Sequence, residues 1–406
     1  MRTPLSIAFI VRDPLPPVRA DLLTLFGVEM PRHGLASALV GQAGGDLPGH
    51  WNAGRMYPVG RFTNPLAGIL TPLWDLAGLV RLLARARPDC IQVRDKIASG
   101  LLARVVAAML GIPFVYWMSF PIAEGYAARR DELARRGRGP RWLAHALRAA
   151  LAGPVLYRLV LPGARHVFVQ SAAMADRLAA RGVARARMTA VPMGVDGVAF
   201  RRADIVPSAD PRLQGRRVVL YLGRVAQSRQ SGFLLDVAAR LRDEAHDVLL
   251  VIAGDAPSND EMAWMRAEIA RRGLARQVLL TGWLPQREAL GYAVRAEVGL
   301  SPIPRGPLFD VSSPTKLVEY LALGIPSVAN DIPDQAWVLA QSGAGLCVPM
   351  EAAAFAAAVR RLLDEPGLAA RCAARGPPWV HAHRSYAILG RRVARAYAGI
   401  LAGRVA

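Results

Sequence analysis

Short apolar runs alternate with stretches of helical period along the whole chain. The strands predicted in the first half are SIAFIV, CIQV, PFVYW and HVFVQ. Those predicted in the second half are RVVLYLG, VLLVIAG, VLLTG, VGLSP and PSVAN. This alternation is typical of parallel sheets covered by helices. We therefore expect an α/β fold with two Rossmann-like, doubly wound domains that face a cleft.

The apolar pattern stops between the two halves of the chain. Residues 201–215 are polar, contain proline and lack apolar periodicity, which is typical of a linker. We expect an N-terminal domain over residues 1–200 and a C-terminal domain over residues 216–380. The segment 381–406 has helical character and follows the completed second sheet, so we expect it to cross back onto the first domain.

A short helix is predicted in the stretch SSPTKLVEYLALGIPSVAND. Ser313 suits the N-cap, and Pro314 suits the first helical position. The sequence Gly-Ile-Pro then ends the helix after residue 323. Lys316 in the first turn is one of only two lysines among 51 basic side chains.

The position of Lys316 predicts an anion nearby. A cation in the first turn opposes the partial positive charge of the helix end, at a cost of up to about 1 kcal/mol. The same helix end favours phosphate. Glu319 lies one turn later on the same side, where it can accept hydrogen bonds from ribose hydroxyls. A nucleotide site is one interpretation, and a solvated lysine weakly paired with a surface glutamate is the other.

Glycine and arginine follow the first strand of the second half. Gly223 permits close backbone approach, and the forked donors of Arg224 and Arg229 can neutralise a diphosphate. A turn with solvated arginines explains the same residues. A nucleotide base can lie against Trp283 or Leu284, although loop packing also explains the tryptophan. The further strand ends at this edge are marked by Gly254, residues 282–285 and residues 304–312.

In this order, the motifs resemble the nucleotide-sugar-binding half of family-4 retaining glycosyltransferases of the GT-B fold. The resemblance covers residues 218–363. Together with the upstream motifs, it covers about half of the chain. The stretches that carry it are YLGRVAQSRQSGFLLDVAARL, VLLVIAGD, VLLTGWLP, VGLSPI, SPTKLVEYLALGIPSVAND and SGAGLCV. Upstream, VFVQSAAMADRLAARG and VPMGVDGVAF look like the segment that ends the first domain in these enzymes.

The resemblance implies roles for individual residues. Arg224 matches the family arginine on the donor diphosphate, and Arg229 stands where a lysine is usual. Glu319 matches the second glutamate of an E-x7-E motif and is expected to hold the ribose. The first glutamate is replaced by Val311, so the chain is most similar to the subgroup with SPxKxxEY. In that subgroup we expect Lys316 to take over part of the anion contact.

The expected chemistry is stabilisation of the leaving diphosphate by positive charge, because charge develops there as the glycosidic bond breaks. The candidate catalytic residues are Arg224, Arg229 and Lys316. Asp310 is a candidate for holding the hydroxyls of the transferred sugar. The resemblance implies a retaining enzyme that uses a nucleoside-diphosphate sugar and neither a metal nor another cofactor. The candidate donor-binding residues are Gly223, Gly254, Trp283, Leu284, Asp310, Ser312, Ser313 and Glu319.

The first domain gives fewer indications of its ligand. The glycine pair usual in the family is missing from VRDPLPPVRADLLTLFG, and Arg94-Asp95 replaces the common histidine after the PDxI strand. Arg94, Asp95 and Ser119 are therefore the acceptor-side candidates, although simple capping of strand ends explains them equally well.

The formal charge of +20 predicts an anionic partner, either a phosphorylated substrate or an anionic membrane surface. Nucleic acid is not expected, because the sequence has no zinc-finger spacing and no basic run interleaved with aromatic residues. Residues 129–158 contain eight arginines and apolar residues at helical spacing. This stretch is either a helix in an anionic membrane interface or a solvated helix packed on its own domain.

Three widely spaced cysteines, Cys90, Cys347 and Cys372, predict neither a disulfide framework nor a metal site. The seven histidines show no metal-ligand spacing apart from the weak pair His381 and His383. The N-terminus lacks the pattern of a signal peptide. We expect a cytoplasmic protein, either free or peripheral on the inner face of the plasma membrane.

Together these features predict a hexosyltransferase-type glycosyltransferase. Its expected partners are a nucleotide sugar and an acceptor glycan or glycolipid of the cell envelope. Two alternatives stay open. One is a sugar-nucleotide epimerase of similar fold, and the other is an inactive, basic, peripheral binding protein, for which Val311 is the main argument.

Overall fold

The computed structural model describes residues 4–44, 51–64, 67–244 and 247–403. The chain forms two compact units. The first comprises Met1–Pro192 and Tyr386–Ala406, and the second comprises Met193–Ser385. The predicted linker at 201–215 lies inside the second unit, where Leu213 is buried in the core.

The first unit contains a seven-stranded parallel sheet with the order β3-β2-β1-β4-β5-β6-β7. Its strands are β1 Leu5–Ile10, β2 Leu35–Ala43, β3 Met56–Arg61, β4 Cys90–Arg94, β5 Phe114–Met118, β6 His166–Val169 and β7 Met188–Ala190. The four strands predicted from apolar runs are present, and three shorter or more polar ones join them.

Helices connect these strands, as the alternating pattern predicts. Two π-helical segments, Asp21–Glu29 and Val155–Val160, run directly into α1 and α6. The α-helices are α1 Met30–Arg32, α2 Ala67–Leu83, α3 Ile97–Leu110, α4 Ile122–Arg136, α5 Pro140–Pro154, α6 Leu161–Gly163 and α7 Ala172–Ala179.

The second unit contains a six-stranded parallel sheet with the order β10-β9-β8-β11-β12-β13. Its strands are β8 Arg217–Leu222, β9 Val248–Ala253, β10 Val278–Gly282, β11 Val298–Ser301, β12 Ser327–Asn330 and β13 Gly345–Val348. Its helices are α8 Gly232–Asp243, α9 Asn259–Arg271, α10 Gln286–Ala293, α11 Thr315–Ala322, α12 Pro333–Ser342, α13 Ala352–Asp364 and α14 Pro366–His383.

The last helix, α15, spans Tyr386–Leu401 and belongs to the first unit. Its buried face includes Leu389, Val393 and Tyr397, which pack into the same core as Phe9 of β1. The Tyr397 hydroxyl also contacts the amide oxygen of Gln92 in β4. The C-terminal segment therefore completes the first core. None of the helices in the described parts of the chain is long and apolar enough to cross a bilayer.

Each sheet reverses its strand order at one place. In the first sheet the reversal lies between β1 and β4, and in the second it lies between β8 and β11. Ligands of doubly wound sheets bind outside the carboxyl ends of the strands at such a switch point. The loops that leave β8 and β11 are therefore the place to look for a donor site in the second unit.

Candidate functional site

Two glycine loops meet at the carboxyl edge of the second sheet. Gly223 and Gly254 follow β8 and β9 with φ angles of 148° and 154°, which disfavour any other residue. A Cβ on Gly254 would lie only 2.1 Å from the carbonyl oxygen of Gly223. The glycines therefore let the two backbones approach each other closely.

Lys316 of α11 lies directly over this glycine surface. Its Nζ would be 3.2 Å from a Cβ on Gly223 and is 3.8 Å from the centroid of the Tyr221 ring. Burial lowers the pKa of Lys316, with Arg229 adding to the shift and Tyr221 and Glu319 opposing it. Among the residues that the structure describes, no carboxylate lies within ion-pair distance of Nζ. The lysine is thus a desolvated cation supported by an aromatic face.

Glu319 lies one turn further along α11 and is also partly buried. Burial raises the pKa of Glu319 to about 7, although the nearby Lys316 opposes the shift. The next residue fixes the helix in place, because the backbone N–H of Leu222 donates to the Tyr320 hydroxyl oxygen at 2.6 Å. Lys316 and Glu319 are therefore positioned against the end of β8 by a rigid contact.

Arg224 and Arg229 lie in the exposed loop between β8 and α8. Arg229 ends a single helical turn, Gln227–Arg229, and its charge influences Lys316. In the described segments of the chain, neither guanidinium has a carboxylate within ion-pair distance. Lys316, Arg224 and Arg229 thus belong to or border the Gly223 loop. Glu319 partly offsets the charge of Lys316, and Glu261 accepts from the backbone N–H of Gln227 at 2.9 Å.

The loop before α11 is held by its own side chains. The Oδ1 atom of Asp310 accepts from Arg305 Nε at 2.8 Å and from the backbone N–H of Gly306 at 3.2 Å. The Ser312 hydroxyl donates to the carbonyl of Phe309 at 2.6 Å. Val311 is buried, consistent with a packing role. The sugar contact suggested for Asp310 stays a prediction.

Ser313 does not cap α11, contrary to the sequence prediction. Pro314 takes the N-cap position. The Ser313 hydroxyl instead donates to Asp334 at 2.8 Å and accepts from the backbone N–H of Met193 at 3.0 Å and from Arg384 at 3.1 Å. The Ser313 hydroxyl therefore belongs to a buried hydrogen-bond network rather than to a helix cap. Its partners come from distant parts of the chain, so the local sequence does not reveal them.

The predicted base-contacting residues lie after β10. Trp283 is 71% exposed, so loop packing does not hold it, and its indole face is accessible. Leu284 is partly buried and lines a pocket of about 790 Å³ together with Tyr292 of α10, Val206 and residues 208–212. A base contact for either residue stays a prediction.

At the carboxyl edge of the first sheet, the structure brings Arg94, Asp95 and Ser119 together. Arg94 donates to Ser119 Oγ through Nε at 3.3 Å, and the Asp95 carboxylate accepts from the Ser119 backbone N–H at 2.8 Å. Burial raises the pKa of Asp95. Arg94 also forms a buried ion pair of 2.5 Å with Asp21. The acceptor role of these residues stays a prediction.

A second buried pair at this edge was missed by the sequence reasoning. Lys96 Nζ lies 2.9 Å from both oxygens of Asp75, and Gln42 and Ser99 also donate to that carboxylate. Asp75 lies inside α2, so its sequence position gives no sign of the pairing. The only sequence feature that singles out Lys96 is that it is one of the two lysines in the chain.

The basic stretch at 129–158 forms the end of α4, all of α5 and part of the following π-helical segment. Leu143, Leu147 and Leu151 of α5 are 65%, 60% and 55% exposed. They form an apolar stripe that faces solvent at a spacing of four residues. No cluster of three His, Cys, Asp or Glu that could hold a metal ion occurs in the described residues.

Comparison with known proteins gives the family of each unit. Residues 216–365 match the family described as "Glycosyl transferases group 1", and residues 21–194 match the "Glycosyl transferase 4-like domain". The alpha-D-kanosaminyltransferase of Streptomyces kanamyceticus is 29% identical over 186 residues, which span 46% of this chain and 46% of that protein. The 2-deoxystreptamine glucosyltransferase of the same organism is 27% identical over 326 residues, which span 76% of this chain and 78% of the relative.

Solved structures share the fold at low sequence identity. Sucrose-phosphate synthase from Thermosynechococcus elongatus has a TM-score of 0.74 at 17% identity, covering 98% of this chain and 100% of that chain. HepE from Anabaena, in complex with UDP and glucose, has a TM-score of 0.68 at 16% identity, covering 97% of this chain and 99% of that chain. The predicted GT-B fold is confirmed.

Proposed function

This chain carries the two domains of a glycosyltransferase, and we propose that it moves a sugar from a nucleoside-diphosphate sugar to an acceptor glycan or glycolipid. The observation that carries the proposal is the group of cations around the Gly223 loop, which lacks carboxylate partners in the described chain. Lys316, Arg224 and Arg229 provide charge at the switch point, where a diphosphate would bind.

The proposed chemistry is departure of the nucleoside diphosphate, assisted by these cations. As the glycosidic bond breaks, negative charge accumulates on the diphosphate and its interaction with Lys316 strengthens. Glu319 would accept from the ribose hydroxyls. We propose a retaining reaction without a metal cofactor, in line with the resemblance of SPTKLVEY to the SPxKxxEY subgroup.

The acceptor is proposed to be lipid-linked, and the protein to work at the cytoplasmic face of a membrane in envelope glycan assembly. The exposed leucines of α5 and the arginines around them support this assignment. Three of the proteins named above are transferases or a synthase by name, and this favours transfer over epimerisation. The cationic site also argues against an inactive binding protein.

A nucleotide panel tests the donor site. Thermal unfolding would be followed with UDP, GDP, ADP and dTDP, each in EDTA and again with magnesium. A ligand at about 100 times its Kd stabilises the folded state by about 2.7 kcal/mol, enough to raise the melting temperature by about 2–4 °C. One nucleotide should stand out in EDTA, and Arg224→Gln should remove its effect. Arg240→Gln is the matched control, because Arg240 is an exposed arginine on α8.

Product analysis then separates transfer from its alternatives. The matching sugar nucleotide would be incubated with and without a lipid-linked acceptor. Transfer yields free nucleoside diphosphate and a glycosylated lipid, whereas an epimerase would change the sugar nucleotide without any acceptor. Absence of any nucleotide effect, with or without magnesium, would refute the donor site.

A further inference from the structure

A basic pocket lies at the amino edge of the first sheet, opposite the edge that holds Ser119. Its volume is about 510 Å³, within the range of small-molecule sites. Phe114 is the first residue of β5, and Arg165 and Arg187 immediately precede β6 and β7. Because the strands are parallel, these residues mark the edge where the strands begin. The pocket is therefore separate from the acceptor-side candidates.

Three arginines and no acidic residue line this pocket. They are Arg104 of α3, Arg165 and Arg187. Within the described ranges, none of the three has a carboxylate at ion-pair distance. Grouping three like charges is unfavourable in the absence of a counter-ion, because each raises the electrostatic energy of the others. A bound anion would remove this repulsion.

Two of the guanidiniums are held in place by backbone carbonyls. Arg104 donates through Nη1 to the carbonyl of Leu159, and Arg187 donates through Nη2 to the carbonyls of Ala164 and of Pro162, the latter at 3.1 Å. A guanidinium has five N–H donors, so these bonds leave others to reach a ligand. Fixing the side chains beforehand lowers the entropy cost of binding.

The remainder of the pocket is apolar. An apolar body attached to the anion would therefore find contacts inside the pocket. The apolar lining residues are Ala107, Ala108, Ile112, Pro113, Phe114, Pro162 and Ala164.

We propose that this pocket binds the phosphate group of an amphiphilic phosphate ester. Three guanidiniums match the double charge and the three terminal oxygens of a phosphate monoester better than a single carboxylate. The ligand is either a phospholipid headgroup in a membrane or a free alkyl phosphate, and both present the same chemistry. The site does not depend on the proposed transfer reaction, since its lining belongs to the first unit and shares no residue with the donor-site candidates.

Gly163 provides a variant that moves a guanidinium without changing the charge. A Cβ at this position would lie 1.9 Å from Arg104 Nε, so Gly163→Ala must displace the arginine. The cost to folding should be small, because the displaced atom belongs to a flexible side chain. Gly367→Ala is the matched control, because it lies in the second unit and a Cβ there meets only Arg371 Nη1, at an ordinary contact distance of 3.5 Å.

Arg165→Glu provides the second variant. Arg165 is exposed, and its replacement by glutamate reverses the charge at the pocket. Its control is Arg240→Glu, an equal change of net charge at an exposed position of α8 in the second unit. Both proteins would first be compared with wild type by circular dichroism and thermal unfolding. Octyl phosphate binding would then be measured by calorimetric titration.

The expected result is binding of octyl phosphate that weakens about tenfold or more in Gly163→Ala and Arg165→Glu and stays unchanged in both controls. Sedimentation with phosphatidylcholine vesicles, with and without phosphatidic acid, shows whether the phosphate ester is a lipid headgroup or a soluble molecule. Loss of phosphatidic-acid-dependent sedimentation in the same two variants indicates a lipid headgroup, and an effect on octyl phosphate alone indicates a soluble ester. The proposal is overturned if wild type binds neither probe, or if the pocket variants bind both as wild type does.

Discussion

The cations at the carboxyl edges of the two sheets differ in whether a carboxylate pairs with them. In the first unit, Lys96 is paired with Asp75 and Arg94 with Asp21, and all four side chains are largely buried. In the second unit, Lys316 faces the Tyr221 ring, and the described residues supply no carboxylate at ion-pair distance. The chain contains only these two lysines; Lys96 lies just after β4, whereas Lys316 lies in α11 and its side chain reaches the loop after β8.

This difference separates structural charge from charge that serves a ligand. In a buried ion pair, each charge compensates the other. Removing one partner therefore leaves the other as an uncompensated buried charge. A buried lysine without a counter-ion is costly to the free protein and gains from an anion that binds later. We therefore expect the same substitution to lower stability at Lys96 and nucleotide affinity at Lys316.

The largest effect is expected from Lys96→Met. It leaves the Asp75 carboxylate buried with two neutral hydrogen-bond donors, Gln42 and Ser99. The free energy of unfolding should fall by about 3–5 kcal/mol, as measured by urea denaturation. The double variant Lys96→Met, Asp75→Leu should recover most of the loss. A cost below about 1 kcal/mol for the single variant would contradict the structural role.

The next effect is expected from Lys316→Met. Loss of a charge-assisted hydrogen bond to the diphosphate should weaken nucleotide binding by about tenfold to hundredfold, as measured by calorimetric titration. The free energy of unfolding should change by less than about 1 kcal/mol, because no ion pair is broken. Lys96→Met, studied where it remains folded, should bind the nucleotide like wild type. Equal nucleotide affinities for Lys316→Met and wild type would remove the distinction between the lysines.

The smallest effect concerns pH. The pKa of Glu319 is about 7 in the folded chain and 4.5 ordinarily. The folded state therefore binds more protons between these values, and this group's contribution to stability declines as pH rises from 4.5 to 7. Asp21 behaves in the opposite way: burial would raise its pKa, but Arg94 and Arg19 outweigh burial and hold the pKa well below its usual range.

Urea denaturation between pH 5 and 7 tests this contrast. Glu319→Gln should lose less stability than wild type as the pH rises, because the amide has no proton to release. Below pH 4, the stability that the ionised Asp21 contributes declines as that carboxyl is protonated. Asp21→Asn should therefore flatten the dependence of the free energy of unfolding on pH only below pH 4. Identical pH profiles for Glu319→Gln and wild type would show that the glutamate titrates normally.

Local sequence patterns predicted the elements that local chemistry determines. All nine strands from apolar runs are present, and Lys316 lies against Gly223 at the carboxyl edge of the second sheet. Four strands were missed. Of these, β3 contains Pro58 and Gly60, which disfavour strand structure, and it is tolerated because β3 lies at the sheet edge.

The misassigned polar residues have partners that are distant in sequence. Ser313 was expected to cap its own helix, but Asp334 and Arg384 compete for its hydroxyl through the tertiary fold. Asp75 pairs with a lysine that no local spacing connects to it. Patterns within one element predict its period and ends, whereas a buried polar network depends on the assembled fold.

The return of α15 to the first unit has a consequence for biosynthesis. Tyr397 and Val393 fill the core around Phe9, so the first unit remains incomplete until the last helix has left the ribosome. The second unit is continuous in sequence and can be finished earlier. During translation, the domain that emerges first is therefore the one that closes last. Premature termination before residue 386 would leave its apolar core open to aggregation.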